Sequence, residues 1–184
     1  NLRCIYCYAE TGLDYSTMPW KLAKASILYL VNNAIALKEK KIYITFHGGG
    51  ETFVEFKLMK RCVEFARELA VDNNLDISFS VVTNATLVNY ERAVWLKENG
   101  FEKLTVSLDG VKEVNNMQRV DKFGTGTFDQ TLKGINNIVK AGIDFSIRST
   151  ITNLSVDRMD EFVSFISESY NFEGGLIQFE PFSL

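Results

Sequence analysis

Cys4 and Cys7 stand in the segment Asn1-Leu2-Arg3-Cys4-Ile5-Tyr6-Cys7-Tyr8-Ala9 and form a Cys-x-x-Cys pair. Two thiols at this spacing serve three chemistries: half of a zinc site, a thioredoxin-type redox couple, or two ligands of an iron–sulfur cluster. The pair alone leaves all three open. The third cysteine, Cys62, falls on an apolar stripe with Met59, Val63 and Ala66 and reads as a buried structural thiol.

Other chemistry-bearing side chains stand next to glycines or small polar residues: His47-Gly48-Gly49-Gly50-Glu51-Thr52, Thr83-Asn84-Ala85-Thr86, Ser107-Leu108-Asp109-Gly110, the single Arg148, and Glu180-Pro181. Each also has a plain structural reading. Gly48 to Glu51 is then a tight turn with a solvated carboxylate, His47 a loop-packing residue, and Tyr6 and Tyr8 core aromatics. An inward-facing Arg148 needs an anionic partner, and Glu180 is a candidate. Gly124-Thr125-Gly126 lacks the third glycine and the preceding strand of a phosphate loop, so it reads as a loop into a helix capped by Thr127.

These residues need a scaffold, and the apolar pattern supplies one. Five short β-branched-rich runs, Ile42 to Phe46, Ile77 to Val82, Leu104 to Leu108, Phe145 to Ile151 and Leu176 to Phe179, read as buried strands. Between them lie helical spacings such as Met59, Cys62, Val63, Ala66, Leu69, Ala70 and Val156, Met159, Phe162, Val163, Ile166. The alternation predicts a parallel α/β sheet with crossover helices. Pro19 suits a first helical turn, Ser155 a cap of the last long helix, and Gly100 and Gly142 left-handed helix stops. The polar and glycine residues then gather at the carboxyl ends of the strands, where parallel α/β folds build their sites.

With 184 residues, 46% hydrophobic and 23% charged, the chain has the makeup of one globular domain, residues 1–184. A net charge of −3 gives no footprint for nucleic acid. No apolar run approaches the roughly 20 residues of a membrane span. Three cysteines, an odd number, disfavour a secreted disulfide framework and point to a reducing, cytoplasmic setting.

Taken together, these elements resemble the radical SAM enzymes, in particular the branch that matures peptides and proteins and often carries a C-terminal SPASM-type extension. The resemblance runs from Asn1 to Pro181. The family's cluster motif is Cys-x-x-x-Cys-x-aromatic-Cys, which makes Asn1-Leu2-Arg3 the spacer, Cys4 the second ligand, Tyr6 the aromatic and Cys7 the third ligand. By this resemblance the first ligand and the first strand lie just before Asn1. The expected fold is a partial (β/α)6 barrel of parallel strands with outer helices, of which this chain holds the second to sixth strands.

The same resemblance implies the cofactors: a [4Fe-4S] cluster with one iron left for S-adenosylmethionine, which is cleaved reductively to a 5′-deoxyadenosyl radical that abstracts hydrogen from substrate. It assigns Gly49, Gly50 and Glu51 to the methionine ammonium, Ser107 and Asp109 to ribose or carboxylate, Arg148 to the cofactor carboxylate, and Arg119 to the same cofactor region. Asp109 and Glu180 are the strand-end carboxylates placed to assist proton transfer. Thr52, Ala85 and Asn115 depart from the family's usual proline, glycine and histidine, and bear on the subfamily. The implied partners are a peptide or protein substrate and a flavodoxin- or ferredoxin-type electron donor. The alternatives are a small-molecule or RNA substrate, a non-catalytic zinc or iron–sulfur domain, or a phosphosugar-binding barrel. These residues by themselves, with two of three cluster cysteines, are expected to be inactive.

Overall fold

The computed structural model describes residues 1–9, 16–170 and 176–182. Strands β1 (Lys41–Phe46), β2 (Asp76–Thr83), β3 (Phe101–Ser107), β4 (Asp144–Ile151) and β5 (Ile177–Pro181) lie side by side in chain order, and every neighbouring pair is parallel. Helix α1 (Trp20–Ala36) precedes β1, and α2 (Phe56–Asp72), α3 (Tyr90–Glu98), the pair α4 (Lys112–Gln118) and α5 (Phe128–Lys140), and α6 (Met159–Ser169) fill the successive connections between strands. Repeated crossovers of one hand advance the sheet by one strand at a time and curl it, giving a half-barrel wall with surrounding helices. This is the expected α/β partial barrel, with five strands present.

Burial explains the arrangement. In β1 the buried Ile42 and Ile44 alternate with exposed Lys41, Tyr43 and Thr45, the pattern of a strand covered on one face. Phe79 and Val81 of β2, Leu104 and Val106 of β3 and Ile147 of β4 are buried with Met59 and Val63 of α2, Leu96 of α3, Ile135 and Ile138 of α5, and Phe162 and Ile166 of α6. Cys62 belongs to this core, as its apolar stripe predicts.

Helix ends follow the sequence in part. Gly100 and Gly142 close α3 and α5 at φ +68° and +71°, a left-handed conformation that glycine adopts without a Cβ penalty. Pro19 precedes α1 as its N-cap, and its carbonyl accepts the N–H groups of Leu22 and Ala23. Two capping expectations are corrected. The Ser155 hydroxyl closes a turn on Thr152, accepting its N–H at 2.9 Å, and does not cap α6, which begins at Met159 after a short 3₁₀ turn. The Thr127 hydroxyl donates to the Arg119 carbonyl at 2.8 Å, and the first N–H of α5, that of Phe128, is taken by Asn116 Oδ1. The Ser155 oxygen is thus taken by a nearer backbone N–H, and at the start of α5 the Asn116 side chain supplies the acceptor while Thr127 turns to the Arg119 carbonyl.

Candidate functional site

The cysteine segment is held by backbone pairing. Leu2 bridges Asp121 in antiparallel fashion, Arg3 N–H donates to the Val120 carbonyl at 2.7 Å, and Ile5 N–H to the Gln118 carbonyl at 3.0 Å. Cys7 N–H then turns back onto the Cys4 carbonyl at 3.0 Å, which sets both thiols on one tight turn. Both cysteines are free and half-buried, and both face a cavity of about 450 Å³ at the carboxyl ends of the strands. Burial pushes the Cys4 thiol up, partly offset by the nearby Arg119 charge.

Across the cavity runs the loop after β1, His47 to Glu51. A Cβ built on Gly48 or Gly50 would meet no protein atom within 4 Å, and one on Gly49 would meet only Ala9 Cβ at 3.4 Å. The loop therefore presents bare backbone to the cavity. Glu51 ties it to the end of β2: Oε1 accepts the Thr83 hydroxyl at 2.8 Å and Phe53 N–H at 3.2 Å, while Oε2 accepts Asn84 N–H at 2.8 Å. Burial raises the Glu51 pKa against the lowering effect of these bonds.

Ser107, at the end of β3, is the register partner of Arg148 on β4, and both line the cavity. Arg148 Nη2 is ion-paired with Glu180 Oε2, the structural partner that its inward position demanded, and Nη1 lies 3.5 Å from His47 Nε2. Glu180 also accepts Gln178 Nε2 at 2.9 Å. Arg119 lines the cavity beside Cys4, whereas Asp109 is buried behind it and is not among the lining residues. Tyr6 lines the cavity and donates its hydroxyl to Asp109 Oδ2. Burial, with the neighbouring Asp109 carboxylate, raises the Tyr6 pKa and keeps the phenol protonated.

All the sequence-derived candidates thus converge on one place: Cys4, Tyr6, Cys7, Gly49, Gly50, Glu51, Ser107, Arg119, Arg148 and Glu180 at the cavity wall, and Asp109 one layer behind. Sequence reasoning did not single out Thr150, which lines the cavity and donates its N–H to Asp109, or Phe182, whose ring centroid lies 6.0 Å from that of Tyr6. The alternation of Ser146, Arg148 and Thr150 along β4 is the signal that marks Thr150.

Among the described residues no group of three or more His, Cys, Asp or Glu side chains is arranged to hold a metal ion. The donor set is instead two thiols on one turn, a guanidinium Nη1 3.8 Å from Cys4 Sγ, and open glycine backbone opposite. That set fits part of a thiolate-ligated iron–sulfur cluster with a polar small molecule laid along the glycines.

Residues 1–166 match the family model of the Radical SAM superfamily. The chain belongs to the radical SAM superfamily. It is 25% identical over 170 residues to the cysteine-type anaerobic sulfatase-maturating enzyme of Clostridium novyi, covering 91% of this chain and 45% of that one. It is 31% identical over 157 residues to the Fe-coproporphyrin III synthase of Methanosarcina barkeri, covering 85% and 35% respectively. Among solved structures, native anSMEcpe with bound AdoMet and the Kp18Cys peptide superposes with a TM-score of 0.87 at 26% identity, covering 100% of this chain and 48% of that chain. The chain spans about half or less of the length of these relatives. No helix among the described residues is long and apolar enough to cross a membrane.

Proposed function

We propose that this radical SAM chain is the core of an enzyme that binds a [4Fe-4S] cluster and S-adenosylmethionine and abstracts hydrogen from a peptide or protein. One observation carries the reading: the Cys4–Cys7 turn and the Gly49-Gly50-Glu51 loop, from separate elements, face the same cavity within a family-matched fold. When bound, the cluster supplies the electron that cleaves the sulfonium and so provides the radical.

The chain's own residues do the rest. Cys4 and Cys7 furnish two thiolates to the cluster. The backbone of Gly49 and Gly50 receives the methionine end of the cofactor, and Glu51, braced by Thr83 and Asn84, adds a negative charge beside its ammonium. Ser107 offers a hydroxyl for ribose, and Arg148 and Arg119 offer guanidinium donors for the carboxylate. Glu180, at the cavity wall, is the strand-end carboxylate that reaches substrate and can take its proton. An electron donor of the flavodoxin or ferredoxin type completes the cycle.

The peptide assignment rests on the likeness to anSMEcpe, whose structure holds a peptide. The likeness to Fe-coproporphyrin III synthase favours a second reading, a small-molecule substrate. The test is turnover by the intact, anaerobically reconstituted protein with Cys- or Ser-containing peptides deuterated at Cβ, against iron tetrapyrrole precursors of Fe-coproporphyrin III in parallel. Deuterium appearing in 5′-deoxyadenosine only with the peptides supports the first reading. Stimulation by the tetrapyrrole alone supports the second.

A further inference from the structure

The Asp109 side chain is fully buried, and its carboxylate joins three segments that are distant in sequence. Oδ1 accepts Thr150 N–H at the end of β4, at 3.0 Å. Oδ2 accepts the Tyr6 hydroxyl from the cysteine turn and lies 3.0 Å from Arg119 Nε after α4. That last contact is an ion pair without hydrogen-bond alignment, so charge rather than direction holds it. Arg119 in turn reaches Cys4 Sγ with Nη1 at 3.8 Å and packs its guanidinium 5.7 Å from the Tyr6 ring centroid. Asp109 is the ion-pair partner found for Arg119 among the described residues.

The backbone fixes the carboxylate where this junction needs it. Asp109 N–H donates to Asn115 Oδ1 at 3.2 Å. Gly110, at φ +156°, turns the chain where an added Cβ would fall 2.9 Å from Val114 Cγ1. A side chain held on both sides and buried behind three cavity-lining residues, Tyr6, Arg119 and Thr150, is suited to arranging those groups rather than to touching substrate.

We propose that Asp109 is a positioning residue: it holds Arg119 against the Cys4 sulfur and Tyr6 against β4, and so sets the reduction potential of the cluster at this site. The inference rests on the cluster reading given under Proposed function. A cationic donor on a ligand sulfur stabilises the more negative, reduced cluster and raises its potential. A carboxylate acting there by its own charge does the opposite. Without Asp109 the buried guanidinium loses its counter-ion and moves toward the water of the cavity it lines, away from Cys4.

Two measurements on the intact protein decide the matter. In cluster-free protein, Asp109→Asn keeps an acceptor for Thr150 but loses the charge that holds Arg119. Hydrogen exchange at Ile5 and Cys7 is expected to become about tenfold faster while Thr150 stays protected. A change confined to Thr150, or none, overturns the positioning role. In reconstituted protein, redox titration followed by electron paramagnetic resonance is expected to show a lower potential in both Asp109→Asn and Arg119→Lys, the second keeping the charge but losing the planar donor. A raised potential in Asp109→Asn shows the carboxylate acting directly and overturns the proposal, as does an unchanged potential in both. If Asp109→Asn does not fold, Asp109→Glu, which keeps the charge but displaces it by one methylene, takes its place: a lowered potential with faster exchange at Ile5 and Cys7 supports the positioning role, and no change in either overturns it. If the unmodified protein assembles no cluster, the cluster reading and the potential claim fall together, while the exchange measurement still decides whether Asp109 positions the cysteine turn.

Discussion

Glu51 Oε2 accepts the backbone N–H of Asn84 at 2.8 Å, and this bond fastens the glycine loop after β1 to the end of β2. Removing the carboxylate with Glu51→Ala leaves the Asn84 N–H and the Thr83 hydroxyl without this acceptor. The expected cost is about 2–3 kcal/mol, read from urea denaturation.

Glu51 also gives a pH signature. Burial raises its pKa in the folded state, so the native protein binds this proton more tightly than the unfolded chain does. Between the ordinary carboxylate range and the raised folded value, the native state holds more protons, and stability contributed by this group falls as pH rises. Below that window the contribution is fully present. Glu51→Gln is expected to flatten this segment of the pH–stability curve, and an unchanged slope shows that another group sets it.

Ala85 and Gly134 form a close pair whose substitutions have opposite expected signs. Ala85 sits at φ +59°, a left-handed conformation that costs a non-glycine residue on the order of 1–2 kcal/mol. Ala85→Gly is therefore expected to be neutral or stabilising by up to about 1 kcal/mol, after the added freedom of the unfolded chain is subtracted. Gly134→Ala should do the reverse. Helix propensity alone favours alanine by about 1 kcal/mol, yet a Cβ at 134 would lie 2.0 Å from the Ala85 carbonyl oxygen. A net loss of about 1–3 kcal/mol is expected from the overpacking, and a raised melting temperature would contradict this contact.

The three cysteines should separate by role. Cys62→Ala, a core truncation of one small group, is expected to cost about 1 kcal/mol and to leave iron content unchanged. Cys4→Ala and Cys7→Ala should each abolish iron retention after reconstitution, with circular dichroism unchanged. Equal iron loss in all three variants would show nonspecific binding.

The sheet and its carboxyl-end site were legible because they depend on local signals: apolar runs for strands, glycine and small polar residues after them, and a charge on an inward face that needed a counter-charge. Glu180 beside Arg148 follows from that last rule. The placement of Asp109 behind the cavity was not legible, because it depends on Tyr6, Arg119 and Thr150 arriving from three separate segments. The same holds for Ser155 and Thr127, whose hydroxyls fit helix caps by sequence but find the Thr152 turn and the Arg119 carbonyl first. Gly134 looks like an ordinary helical glycine until the Ala85 carbonyl is set against it.

The most direct test of the central claim is 5′-deoxyadenosine formation by the intact protein, reconstituted anaerobically with iron and sulfide and supplied with S-adenosylmethionine and dithionite. The account predicts a cluster with one site-differentiated iron and 5′-deoxyadenosine production that Cys4→Ala and Cys7→Ala abolish. Zinc retained at one per chain, with no 5′-deoxyadenosine formed, would contradict it.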